Sequence, residues 1–261
     1  MIDLHAHVLP GIDDGPPDVA TSIAMIRAAE ADGTRVLAAT PHLRHDHPEV
    51  RLEDLAEMCA SLERKLPAHS EIRLVPAGEC DLGWAQAASA EELRLASFGQ
   101  RGTDLLLETP YGALPPNFEE LLFGLSLRGL RVVLAHPERN RTFQADPLRL
   151  AGLSDRGVLL QVTAESVASG NRASESRRLA GLLVRRGFAH VIASDTHSPE
   201  RHRASLSAGR LAAARLAPER AEWMVVGSPA AILAGEPLPE MPPLESGGRW
   251  RPARRRWQAA R

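Results

Sequence analysis

The chain has 261 residues, 44% hydrophobic and 25% charged, and a net charge of −2. That is enough to build a sizeable core, and it excludes a disordered chain, a collagen-like repeat and a disulfide scaffold. Two cysteines (Cys59, Cys80) fit a reducing compartment, no apolar run nears the roughly 18 to 20 residues of a membrane span, and Asp3, His5 and His7 interrupt any secretory h-region, so a cytoplasmic location is expected.

Strand-length apolar runs occur at 2–5, 36–39, 72–75, 104–107, 132–135, 158–162 and 190–193. Helical stretches lie between most of them. Asp18 can cap a helix that Gly33 ends; another runs from about 52 to 66 and stops at Pro67. Pro115-Pro116 precede a helix ending near Gly129, Asp146-Pro147 open one ending near Gly157, and Ser174 opens one ending near Gly187. Seven strands with intervening helices predict an α/β protein with a mainly parallel sheet. So many units in this length suit a closed barrel better than an open sheet. From Gly235 onward Pro, Gly and Arg dominate, which predicts a tail of little structure over 235–261 after a folded unit of 1–234. Residues 247–261 hold six arginines and no acid, leaving 1–246 at −8. Such a tail reads first as a solvated, frayed terminus, although it suits an anionic surface.

Metal-capable side chains fall at strand ends. His5 and His7 close the first strand, His42 follows the second, Glu79 the third, Glu108 the fourth and His136 the fifth, while Asp195 and His197 follow the seventh. The sixth offers only Gln161 and Thr163. Asp13 and Asp14 sit in the first loop. In a parallel α/β barrel the strand carboxyl ends share one face, so these residues would converge. In His5-Ala6-His7 the i and i+2 side chains share a strand face and can bite one cation, and Asp195-Thr196-His197 repeats the spacing. Imidazole mixed with carboxylate, without thiolate, favours Mn, Zn or Fe over a structural zinc. The set is too large for one tetrahedral ion; two or three ions with a bridging carboxylate are expected.

DLHAHVLPGIDDG at 3–15 resembles the opening motif of the polymerase-and-histidinol-phosphatase (PHP) superfamily. ATPH at 39–42, GEC at 78–80, LLLETP at 105–110, AHPERNR at 135–141 and ASDTH at 193–197 follow in that family's order. LPGIDDG with HPERNR resembles, more narrowly, the manganese-dependent protein-tyrosine phosphatases of bacterial capsule and exopolysaccharide clusters. The resemblance spans roughly residues 1–215 and implies a distorted seven-stranded (β/α)7 barrel with three metals. It implies that His5, His7, Glu79 and Asp195 hold one ion and that Glu79 bridges to a second with Glu108 and His136. Asp14, His42 and His197 would hold the third, with Asp13 the weaker first-loop alternative. Mn2+ is the expected metal, with Zn2+, Fe and Co2+ as alternatives.

The implied activity is hydrolysis of phosphotyrosine in proteins, a metal-activated hydroxide attacking phosphorus. The implied partner is a bacterial tyrosine kinase with a Tyr-rich tail that governs polysaccharide export. Arg139 is the first choice for capturing phosphate, since a guanidinium binds two oxygens at once. Arg201 or Arg203 is the second choice. Cys80 reads as a buried small residue; Ala85 stands where a cysteine-based tyrosine phosphatase needs arginine. A phenol leaves with a pKa of about 10, which makes a missing general acid tolerable. His45 and His47 are the candidates for that acid, and Tyr111 and Trp84 could line the entrance and stack on an aromatic substrate. Alternatives on the same fold are a histidinol-phosphate type small-molecule phosphatase and a DNA phosphodiesterase; nucleic acid is the weaker partner. A regulatory module that has lost activity is disfavoured by the intact ligand set.

Overall fold

A computed structural model describes residues 1–171, 173–199 and 205–244. Among the described residues each of the seven apolar runs holds a strand and two short strands follow beyond them: β1 (Ile2–Ala6), β2 (Val36–Ala39), β3 (His42–Leu43), β4 (Arg73–Pro76), β5 (Glu79–Cys80), β6 (Asp104–Glu108), β7 (Arg131–Ala135), β8 (Leu159–Thr163) and β9 (Val191–Ala193). Every pairing is parallel. The strands make a three-stranded sheet, β1-β2-β4, and a six-stranded sheet, β3-β5-β6-β7-β8-β9. The two extra strands, β3 and β5, lie past the ends of the 36–39 and 72–75 runs, separated from them at the same level. Pro41, between β2 and β3, has no N–H to give a ladder. Gly78, between β4 and β5, leaves room for Leu43, which any Cβ there would strike. Backbone bonds cross the interruption: Ala77 N donates to Ala39 O at 3.0 Å and Glu79 N to Pro41 O at 3.0 Å. At the other margin Asp195 N donates to His5 O at 2.8 Å and His7 N to Thr196 O at 2.9 Å.

The strands are buried on both faces, as parallel strands covered by helices must be. Leu37, Leu105, Leu107, Val132, Leu134 and Leu160 belong to the main core with the helices. Their alternates Leu4, Ala38, Leu106, Val133, Leu159 and Val191 form a second core with Phe98 and Ile232. The expected helices form where their caps predict them. Asp18 accepts from Thr21 N ahead of Val19–Ala31, and Ser174 accepts from Arg177 N ahead of Glu175–Arg186, which Gly187 ends at φ 76°. Further helices appear at Leu82–Ala87, Ala90–Ala96, Ala164–Ala168, Leu206–Ala214 and Ser228–Ala234. Residues 235–244 carry no regular element but lie against the body: Trp223 Nε1 donates to Pro239 O at 3.2 Å and Arg220 Nε to Pro242 O at 2.6 Å. The six tail arginines lie outside the described residues. Among the described residues no helix is long and apolar enough to cross a membrane.

Candidate metal centre

All nine predicted ligands meet at the carboxyl ends of the strands. Glu79, wholly buried, is the hub. Its Oε2 lies 3.2 Å from His5 Nε2, 3.3 Å from His7 Nε2 and 3.0 Å from His42 Nδ1, and its Oε1 lies 2.9 Å from His136 Nε2. Asp195 Oδ1 stands 3.2 Å from His5 Nε2. Asp14, 54% exposed, closes the outer side, its Oδ1 3.3 Å from His197 Nε2 and 3.5 Å from His42 Nε2. Glu108 Oε2 is 3.9 Å from His42 Nδ1. Among the described residues four overlapping groups have possible ligand atoms within 4.8 Å of one another: His7, Asp14, His42 and His197; His5, His136 and Asp195; His5, His7 and Glu79; His42, Glu79 and Glu108. The spatial groups differ from the sequence grouping in that His42 reaches both Asp14 and the Glu79–Glu108 pair.

The i, i+2 expectation holds on β1, where His5 Nε2 and His7 Nε2 are 3.2 Å apart. It does not hold after β9. Asp195 adopts a left-handed φ of 55°, so 195–197 is not extended, and His197 stacks on His7 with centroids 3.9 Å apart. His136 is also left-handed, at φ 37°. Non-glycine residues there cost about 1–3 kcal/mol each and collect at functional sites.

Burial raises the Glu79 carboxyl, but His5 and the bonds from His136, His42 and His5 outweigh it and hold Glu79 well below the usual carboxylate range. Burial lowers His5, but Glu79 and Asp195 prevail and lift it to about 9. His7 is likewise raised against burial, by Asp13 and Glu79. Burial raises Asp195, yet His5, His136 and Arg139 bring it to about 2. Glu108 is raised, by burial first and then by the charge of Glu79.

Three residues take roles here that the sequence did not show, Asp13 having stood only as the weaker first-loop ligand. Gln161 Oε1 lies 3.0 Å from His5 Nδ1, and Asp13 Oδ2 lies 2.7 Å from His7 Nδ1. Both partners accept, so each ring carries its proton on Nδ1 and turns the Nε2 lone pair into the cluster. Two lone pairs and two carboxylates then crowd together, which requires either extra protons or a cation. Buried Glu79 Oε2 and His42 Nδ1 also lack a well-formed hydrogen bond. Imidazole and carboxylate donors with no thiolate fit Mn, Zn, Fe or Co. Gln161 was visible only as the odd strand end that lacked a ligand. The third residue, Arg44, bonds Asp46 through Nε and Nη2 and lies 3.5 Å from Glu108 Oε1 through Nη1.

Arg139 Nη1 donates to Asp195 Oδ2 at 2.5 Å, which brings a guanidinium to the cluster with 31% of its side chain exposed. Arg201 and Arg203 lie outside the described residues. His47 stacks on His42 at 5.6 Å, whereas His45 is exposed. Trp84 is half-buried and packs on the main core. Cys80 is buried, its thiol pushed up by burial and then by Glu79, as suits a packing residue. A cleft of about 650 Å³ lies between helices Phe118–Leu127 and Leu148–Ser154 and shares no residue with the cluster.

The family described as capsular polysaccharide synthesis, CpsB/CapC, matches residues 1–234. The chain belongs to the CpsB/CapC family. It is 35% identical over 209 residues to the tyrosine-protein phosphatase YwqE of Bacillus subtilis, covering 76% of this chain and 78% of that protein. It is 28% identical to the putative tyrosine-protein phosphatase CapC of Staphylococcus aureus, covering 76% and 77%. To the tyrosine-protein phosphatase CpsB of Streptococcus pneumoniae it is 25% identical, covering 76% and 83%. A crystal structure from work on YwqE and CpsB, described as metal-dependent tyrosine phosphatases, superposes with a TM-score of 0.81 at 28% identity, covering 95% of this chain and 100% of that one. The capsule-type resemblance of the motifs is thus matched by the CpsB/CapC family as a whole.

Proposed function

We propose that this chain is a metal-dependent protein-tyrosine phosphatase of the CpsB/CapC family. Its substrate is the phosphotyrosine-bearing tail of a bacterial tyrosine kinase that controls capsule or exopolysaccharide synthesis, and it works in the cytoplasm. The observation that carries the reading is the convergence of four imidazoles on buried Glu79 with Arg139 beside them. In this reading the two sheets are one distorted (β/α)7 barrel of the PHP type, because β2 runs on into β3 and β4 into β5, and residues 1–234 are the catalytic unit.

His5, His7, Glu79 and Asp195 would hold one ion, Glu79, Glu108 and His136 a second, and Asp14, His42 and His197 a third, with Mn2+ preferred. When bound, such ions supply an activated water and neutralise phosphoryl charge. The chain's own residues do the rest. Gln161 and Asp13 fix the tautomers of His5 and His7. Nη1 of Arg139 is engaged by Asp195 Oδ2, and the other nitrogens of its fork would grip phosphoryl oxygens. Arg201 or Arg203 is a second anchor. The phenol leaves with a pKa of about 10, so little protonation is needed.

Stripping the protein with chelator and restoring Mn2+, Zn2+, Fe2+, Co2+ or Mg2+ separately tests this. Phosphotyrosine peptide should turn over fastest, ahead of phosphoserine peptide, histidinol phosphate and single-stranded DNA, and Mn2+ should restore most activity. Preference for histidinol phosphate or DNA would overturn the reading.

A further inference from the structure

Among the described residues six large hydrophobic side chains are exposed, and five of them (Val19, Phe123, Leu127, Leu148 and Leu211) sit on helices. The sixth, Tyr111, is 68% exposed on the loop that follows Glu108. An aromatic ring left in water on a loose loop would fold back or fray. This loop is held instead. Thr109 Oγ1 donates to Ala135 O at 2.5 Å at its root. Asn140 Nδ2 donates to Pro110 O at 2.6 Å and to Gly112 O at 3.0 Å, the carbonyls on either side of Tyr111. Asn140 is only 2% exposed, and its Oδ1 accepts from Thr142 N at 2.8 Å, capping helix Arg141–Ala145. One buried amide therefore ties the Tyr111 loop to the turn that carries His136 and Arg139.

The hydroxyl of Tyr111 feels the site as well. Burial around it, then the charges of Glu108 and Glu79, push its pKa up to about 12. The ring stands on a loop tied to the His136–Arg139 turn, 68% exposed, with its apolar surface open.

We propose that Tyr111 is the specificity-determining wall for the phenyl ring of the substrate, and that Asn140 is the positioning residue that fixes this wall relative to Arg139. The inference rests on the tyrosine-phosphatase reading and adds how the site tells an aryl ester from an alkyl one. In phosphotyrosine a ring separates phosphate from peptide, so a wall beside the phosphate site touches it. In phosphoserine the phosphate lies one carbon from the backbone, and the same wall meets nothing flat.

The test compares the full chain, reconstituted with Mn2+, on phenyl phosphate and on acetyl phosphate, which has no ring. Tyr111→Ala should lower the phenyl-to-acetyl ratio of kcat/KM by about 3- to 10-fold, the range of one aromatic pair, through KM on the aryl ester. Tyr111→Phe should keep the wild-type ratio. Asn140→Ser still caps the helix but cannot span both carbonyls, and it should lower the ratio in the same direction while keeping the melting temperature within a few degrees. A wild-type ratio in Tyr111→Ala, with phosphotyrosine still hydrolysed, would overturn this inference and leave the functional reading standing. A wild-type protein that hydrolyses no aryl phosphate would overturn both.

Discussion

Gln161 and Asp13 each grip a histidine by the nitrogen that faces away from the cluster, and that grip decides where the other lone pair goes. Loss of such partners costs about 10- to 100-fold in metal affinity or activity. Gln161→Leu and Asp13→Ala should therefore weaken Mn2+ binding by about that factor in a chelator-competition titration, with the circular dichroism unchanged. His136→Ala or Asp195→Ala would remove a proposed ligand outright and should cut phosphotyrosine turnover by at least about 100-fold. Wild-type affinity in Gln161→Leu would mean that the amide is only packing. The convergence of eight of the nine candidate positions was legible in the chain because imidazoles and carboxylates at strand ends are unusual and these repeat at six of the seven runs; Asp14, in the first loop, came only from the motif resemblance. Gln161 was not legible. An amide is a poor ligand, and it acquires meaning only when His5, 156 positions away, lies 3.0 Å from it in space. Arg139 reads from the chain as a phosphate-capturing group, but its bond to Asp195, 56 positions away, is visible only in space.

Between elements, Gly209 shows how packing overrules local preference. It lies within helix Leu206–Ala214, where Gly→Ala should gain up to about 1 kcal/mol of helix propensity. A Cβ there would lie 2.7 Å from Ala164 Cβ and 2.8 Å from Ala164 Cα. Ala164 opens the helix that follows β8, so neither atom can retreat without moving the strand end. Overpacking of this kind costs about 1–3 kcal/mol. Gly209→Ala should therefore lower the urea midpoint despite the better helix former, and a raised midpoint would show that the two helices have slack. The same contest explains which elements could be read ahead. Helices with an Asp or Ser cap and a glycine stop, such as Val19–Ala31 and Glu175–Arg186, announce themselves locally. Leu82–Ala87 and Ala90–Ala96 also have their caps, Asp81 and Ser89, but they run only 6 and 7 residues and end at Ala88 and Ser97 without a glycine stop, so neither is long enough to show an apolar stripe. The β2/β3 and β4/β5 interruptions also escape a periodicity reading, because they change only two donors: Pro41 has no N–H, and Gly78 N donates to Ala96 O at 2.9 Å.

Over the whole molecule the cluster joins chain segments from His5 to His197, so what fills it should govern global stability. Without metal, His5 is held at about 9 and His7 is also raised, against an ordinary value of 6.5. A base whose folded pKa lies above its unfolded one stabilises fully below the unfolded value and loses that contribution as pH rises through the folded one. For His5 that window is 6.5 to about 9. Asp195, held at about 2, works the other way: its contribution is present above about 4 and is lost as pH falls through 2. Chelated protein should therefore be most stable between about pH 4 and 6.5 and melt progressively lower toward pH 9. Metal needs the imidazoles neutral, so its affinity grows over the interval in which the proton-held pairs fail. Free Mn2+ at 100 times its dissociation constant would add about 2.7 kcal/mol, which for a chain of this size is about 5–11 °C. Scanning calorimetry with chelator and with a fixed Mn2+ concentration should show that gain at pH 8 and a much smaller one at pH 6. A melting temperature indifferent to Mn2+ at both pH values would mean that protons alone fill the cluster, and the case for a metal centre would fall with it.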